Sequence, residues 1–135
     1  MLRQRIYIPK YDWEVVVFYE SDRHDAPRIL QELDEMGVDE YSYIKANGNL
    51  RAGRKDTGLT FSNMRERKSM MVLSKATSKE EFANTWIHEL IHCAMHIAKA
   101  NDLDQMGEPI AYLGGEMARS MQPIAASLMC PTCGC

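Results

Sequence analysis

Thr85-Trp86-Ile87-His88-Glu89-Leu90-Ile91-His92 is the stretch on which the reading of this 135-residue chain turns. Ahead of it, Ser78-Lys79-Glu80-Glu81 is a capping-box pattern: Ser78 can cap a helix and Glu81 can return the bond. Apolar residues then recur at helical spacing to about Ala100. Residues four apart on a helix lie one above the other, so His88 and His92 can aim two imidazoles at one metal ion. Glu89 sits beside them, where it can reach a water rather than the metal. At about 100° per residue, Phe82, Trp86, Ile87, Leu90, Cys93, Ala94 and Ile97 share one arc, expected to be the core face. His88, Glu89, His92 and His96 share the opposite arc, expected to meet solvent or a cleft. That separation argues against histidines packed into the core.

A catalytic zinc takes three protein ligands and keeps one open position. His88 and His92 supply two. His96 is again four residues on, but eight positions of helix separate it from His88. That is about 12 Å at 1.5 Å per residue, more than one zinc with bonds of ~2 Å can span. Cys93-Ala94-Met95 holds no glycine at which the helix could bend. His96 is therefore expected beside the ligand set or on the surface. Glu108 and Glu116 remain as candidates for the third ligand. They share a helix face about two turns apart, so only one can reach the metal. A carboxylate at Glu108 also has a plain structural role, since it favours the dipole of a helix beginning there. Tyr112, one turn from Glu108, can support an oxyanion or simply pack. With such a site Glu89 acts as general base in an amide hydrolysis, taking a proton from water and passing it to the leaving amine.

Working outward, Arg5 to Pro9 and Trp13 to Glu20 read as two strands of an antiparallel hairpin. Ala26 to Gly37 reads as a short helix, with Pro27 in its first turn and Gly37 as its stop. Glu40 to Ala46 reads as a strand, followed by a turn at Asn47-Gly48-Asn49. Arg51 to Asn63, interrupted by Gly53 and Gly58, reads as a loop or bulged hairpin. Met70 to Ser74 reads as a strand. Beyond the long helix, Glu108 to Arg119 opens a second helix with Pro109 at its start, and Pro123 is expected to begin another short helical piece, Ile124 to Met129. Gly114-Gly115 would weaken that second helix by roughly 1 kcal/mol per glycine relative to alanine, and close approach to the histidine helix would offset it.

The chain is 45% apolar, enough for one small core. No apolar run approaches the ~20 residues of a membrane span, and the N-terminus lacks the apolar region of a signal peptide. A cytoplasmic protein without membrane contact is expected. The net charge of -3 conceals an asymmetry, because Lys45 to Lys79 holds nine Lys/Arg against only Asp56 and Glu66. Such a block can meet an acidic partner, or it can be a solvated hairpin. It lacks the aromatic interleaving of single-strand binding, so nucleic acid is not expected as a partner. Three of the four cysteines, Cys130, Cys133 and Cys135, crowd the last six residues. This is half of a zinc knuckle, which two chains can complete as a homodimer, or a frayed end.

Asn84 to His92, then Glu108 with Ala111-Tyr112-Leu113-Gly114, resembles small zincin-like metallopeptidases of the gluzincin type encoded by phages and prophages of gut bacteria. Ile6-Tyr7-Ile8-Pro9 with Trp13-Glu14-Val15, and Asp56 to Asn63, are similar to that family too. The resemblance implies Glu108 as third zinc ligand, with Glu116 as runner-up. It implies a compact α+β zincin-like domain over residues 1–129, with a small antiparallel or mixed sheet packed on the His-Glu-x-x-His helix and a second C-terminal helix. It also implies that the strand just before the active helix forms the rim of a substrate cleft. Residues 130–135 are left as a Cys-rich tail. The expected function is a zinc-dependent metallopeptidase or amide hydrolase acting on a peptide or protein in the cytoplasm, the host's if phage-encoded. Its metal ligands are His88, His92 and Glu108, and its catalytic residues are Glu89 and Tyr112. The alternative is a non-catalytic phage-type structural or interaction protein that keeps the fold and a bound metal.

Overall fold

Trp13-Glu14-Val15-Val16-Val17-Phe18-Tyr19 has no continuous polar face, so a strand built from it can be buried on both sides. The computed structural model, which describes residues 1–129, places it in the interior of the sheet. This strand, β2 (Trp13–Ser21), pairs antiparallel with β1 (Leu2–Ile8), in register Ile6↔Val15. A short 3-10 turn at Pro9–Tyr11 joins them, closed by Asp12 in the left-handed region (φ 46°). On its other side β2 pairs in parallel with β4 (Lys68–Ser74), in register Val17↔Met71. β4 pairs antiparallel with β3 (Gly58–Asn63), giving the order β1-β2-β4-β3. Parallel neighbours need a crossover. Here it consists of α1 (Ala26–Met36), α2 (Glu40–Ala52) and β3.

The alternation of side chains along a strand sends Val15, Val17, Tyr19, Met71 and Leu73 to one face of the sheet. There they pack on α3 (Lys79–Ala100) and α4 (Glu108–Met129) through Leu90, Cys93, Ile97, Leu113 and Met117. Val16, Phe18, Met70 and Val72 take the other face, against Ile29, Leu33, Ala46 and Leu50 of α1 and α2. The result is an α+β chain with a mixed four-stranded sheet between two helical layers. The expected packing on the histidine helix and a second C-terminal helix is present.

Four sequence expectations need correction. Glu40 to Ala46 is the first half of α2, not a strand, and Asn47-Gly48-Asn49 lies inside that helix rather than in a turn. The cause is capping: the Asp39 carboxylate accepts from the Ser42 amide at 2.7 Å, and Gly53 closes the far end at φ 64°. Burial of Ala46 and Leu50 offsets the roughly 1 kcal/mol cost of Gly48 inside a helix. The stretch from Arg51 to Asn63 contains a regular strand, β3, in its second half. The strand just before the histidine helix, β4, is paired on both sides and so is not an edge; the edge strand on that side is β3, whose outer edge meets no strand among the described residues. Finally, α4 runs through Pro123 without a break, because Met121 and Ala125 on either side of it are buried. No helix among the described residues is long and apolar enough to cross a membrane. The cysteine tail, with the zinc-knuckle and homodimer expectations placed on it, lies outside the described residues.

Candidate functional site

Ser78 caps α3 by accepting from the Glu81 amide at 3.1 Å, and the helix then runs unbroken past both motif histidines. His88 and His92 are exposed on its cleft side. Their rings meet edge to face, 4.7 Å between centroids at 69°, and their Nε2 atoms lie 3.2 Å apart. Two donors each about 2.0–2.1 Å from one tetrahedral zinc lie about 3.3 Å apart. The pair therefore has the spacing of two ligands of one ion. The same spacing suits a single N–H···N hydrogen bond between neutral rings.

Glu89 is not on the open face that helical arithmetic gave it. It is only 5% exposed, while Ile87, placed on the core arc, is 45% exposed. Glu89 turns toward β3, where the Thr60 hydroxyl donates to its Oε1 at 2.8 Å. Its Oε2 lies 3.9 Å from His88 Nε2. Gly58 makes this placement possible. A Cβ built there would sit 2.5 Å from Glu89 Cγ and 2.9 Å from its Oε2, closer than non-bonded atoms can approach. Here a glycine is required for close approach and not for its backbone angles.

His96 lies one turn beyond His92 and is half-buried. A hydrogen-bond chain ties it to the sheet: Trp13 Nε1 donates to Ser69 Oγ (2.9 Å), Ser69 Oγ meets Ser62 Oγ (2.7 Å), and Ser62 Oγ meets His96 Nδ1 (2.7 Å). Burial, reinforced by His92 and Lys99, lowers its pKa below the usual histidine value. It stands beside the histidine pair, as its spacing predicted.

These residues line a cleft of about 450 Å³ that wraps over the free edge of β3, within the ordinary size range of small-ligand sites. His88, Glu89, His92 and His96 form the α3 wall, Gly58 and Thr60 the floor, and Lys45, Asn49 and Arg54 the opposite wall.

The residues expected from the C-terminal helix are not in this cleft. Glu108 is exposed in the first turn of α4, and Tyr112 is 70% exposed two residues after the half-buried Ile110. Glu116 is paired with Arg119 at 2.5 Å. Neither Glu108 nor Tyr112 lines the cleft. No three His, Cys, Asp or Glu side chains among the described residues are grouped to hold one metal ion. The residues that sequence reasoning missed are Gly58 and Thr60 on β3 and the Lys45 stripe on α2. The alternation of Leu59 and Phe61 with Thr60 and Ser62 is a period-2 signal that would have revealed the strand.

Searches of known protein families, of curated proteins and of solved structures found no match to this chain.

Proposed function

We propose that this protein is a zinc-dependent metallopeptidase or amide hydrolase, with His88 and His92 as metal ligands and Glu89 as general base. The observation that carries this reading is the 3.2 Å separation of the two Nε2 atoms at the wall of a cleft, beside a buried carboxylate. Imidazole pairs suit zinc, and the two rings fit it as half of a tetrahedral set. A bound zinc would supply Lewis acidity at the scissile carbonyl.

The chain's own residues supply the rest. Thr60 occupies Glu89 Oε1 and so fixes the carboxylate plane. Oε2, on the His88 side, is then the oxygen that takes a proton from the attacking water. As the new C–O bond forms, that proton passes from Glu89 to the amide nitrogen, and the C–N bond breaks to release the amine. The outer edge of β3, which pairs with no strand among the described residues, supports a peptide as substrate, because an extended chain can add to such an edge.

Glu108 is the third ligand in this reading. It is not grouped with the histidines here, so it would complete the ligand set only with the first turn of α4 closer to them. That requirement is also the observation that favours a second reading, a non-catalytic interaction protein keeping the fold and a weakly held metal. One experiment separates the two. Purified protein should carry about one zinc per chain, lost on His88→Ala. Glu89→Gln should keep the zinc and lower kcat on a cleaved peptide about 10²–10⁴-fold. Zinc without Glu89-dependent cleavage anywhere in a proteome-scale peptide screen would move the assignment to the second reading.

A further inference from the structure

The basic block between Lys45 and Lys79 is not used by the hydrolytic reading, and the fold divides it. Arg67 is spent on structure: its guanidinium lies 5.3 Å from the Trp13 ring centroid and donates to the Tyr11 carbonyl and to Asn101. Lys75 is paired with Asp22 at 2.9 Å. Lys45 and Arg54 are different. Lys45, Asn49 and Gly53 are spaced four apart, so they form one stripe of α2, and all three line the cleft. Gly53 ends the helix in the left-handed region and turns Arg54 onto the same wall.

Neither Lys45 nor Arg54 is in an ion pair among the described residues. The two carboxylates that line the cleft are already engaged. Asp22 holds Lys75 and the His24 amide, and Glu89 holds Thr60. The cleft therefore has cations without an ion-pair partner among the described residues on its α2 side and the histidines on its α3 side, the two lying across the β3 edge from each other.

We propose that the ligand of this cleft is a peptide carrying a carboxylate side chain, which Lys45 and Arg54 hold while its backbone crosses β3 toward His88 and His92. This rests on the hydrolytic reading only for the choice of a peptide. A nucleic acid fits less well: two cations make a local contact rather than a phosphate track, and Phe61, the Phe, Tyr or Trp ring lining the cleft, packs against the core.

The test uses the full chain with Glu89→Gln, zinc-loaded and chelator-treated, so that binding is read without turnover. The probes are two pools of end-blocked hexapeptides, identical except that Asp and Glu in one are Asn and Gln in the other. Binding is followed by amide shifts between Lys45 and Thr60. The acidic pool should bind about tenfold tighter at low salt, a preference that fades at about 1 M salt, where charges are screened beyond about 3 Å. Lys45→Ala with Arg54→Ala should abolish the preference while leaving the thermal midpoint unchanged, since both side chains are exposed. Equal binding of the two pools, binding of neither, or a preference that survives the double substitution would overturn the proposal. So would a short single-stranded oligonucleotide that competes as well as the acidic peptides. An acidic preference without zinc or cleavage would leave this inference standing and remove the hydrolase. Zinc and Glu89-dependent cleavage without that preference would do the reverse.

Discussion

The two faces of α3 are built on different terms. Leu90, Cys93 and Ile97 are gripped from both sides, by the sheet and by α4, and are almost wholly buried. His88 and His92 are exposed and meet each other edge to face. The first face is fixed by packing, which tolerates few alternatives. The second is exposed, so packing of that kind does not act on it. Glu89 lies where the two faces meet, and it is fixed by the neighbouring strand rather than by its own helix.

Chemical access should show the widest gap between the faces. Burial pushes the Cys93 thiol from 9.0 up to about 12. At pH 8 its thiolate fraction should then be about 10³-fold below that of an exposed cysteine. Iodoacetamide should leave the Cys93 peptide unlabelled until the protein unfolds, as read by mass spectrometry. The sign of the linked stability follows. Between pH 9.0 and about 12 the unfolded thiol ionises while the folded one stays protonated. The Cys93 contribution is therefore intact below pH 9.0 and is lost as pH rises toward 12. Cys93→Ala should lose less stability than the parent over that window.

The exposed face should respond to a residue that is now distant from it. If zinc draws in Glu108, Glu108→Gln should weaken zinc about a hundredfold in a competition titration, the scale on which ligand-sphere changes act. Glu116→Gln should change it little. Equal losses would break the assignment of Glu108.

At the boundary, Gly58→Ala should cost about 1–3 kcal/mol in a denaturant titration, because the added methyl overlaps Glu89. It should also displace Glu89 from Thr60, so that the hydrolysis proposed above would fall by more than the loss of folded protein explains. The smallest effect belongs to the element hardest to read. Asp39→Ala should remove the α2 cap and cost about 1 kcal/mol, with a loss of helix signal confined to the segment that strand propensity favoured.

The same contrast explains what the sequence made legible. The long helix, its cap at Ser78, its apolar stripe and the pairing of His88 with His92 were readable because each follows from spacing along one chain segment. Pro27 and Gly37 bounded α1 for the same reason. Glu40 to Ala46 misled because Tyr41, Tyr43 and Ile44 favour a strand locally, while Asp39 and Gly53, at the two ends, decide for a helix. Pro123 misled because a proline effect of a few kcal/mol is outweighed by packing at Met121 and Ala125. Glu89 misled because helical angle alone cannot see a glycine thirty-one residues earlier that leaves room for it. The place of Glu108 and Tyr112 was beyond reach for a related reason: Glu108 was favoured by resemblance and Tyr112 by its spacing from it, while the position of α4 is set by packing across the chain, as where Gly114 lies so close to α3 that a Cβ built on it would be in contact with Leu90.

The parallel join between β2 and β4 has a consequence for how the chain reaches this state. β1 with β2, and β3 with β4, are hairpins whose partners are close in sequence and can form early. Val17 can meet Met71 only by closing the long loop that contains α1, α2 and β3. That long loop closure is the slow part of assembly. Until it happens, the apolar face that receives α3 is divided between two separate hairpins. The wall carrying His88 and His92 and the floor carrying Thr60 belong to one consecutive run, β3, β4 and α3, so they can come together before that closure. A refolding experiment should see amide protection at Val17 and Met71, the paired strands of that join, return in the slowest phase.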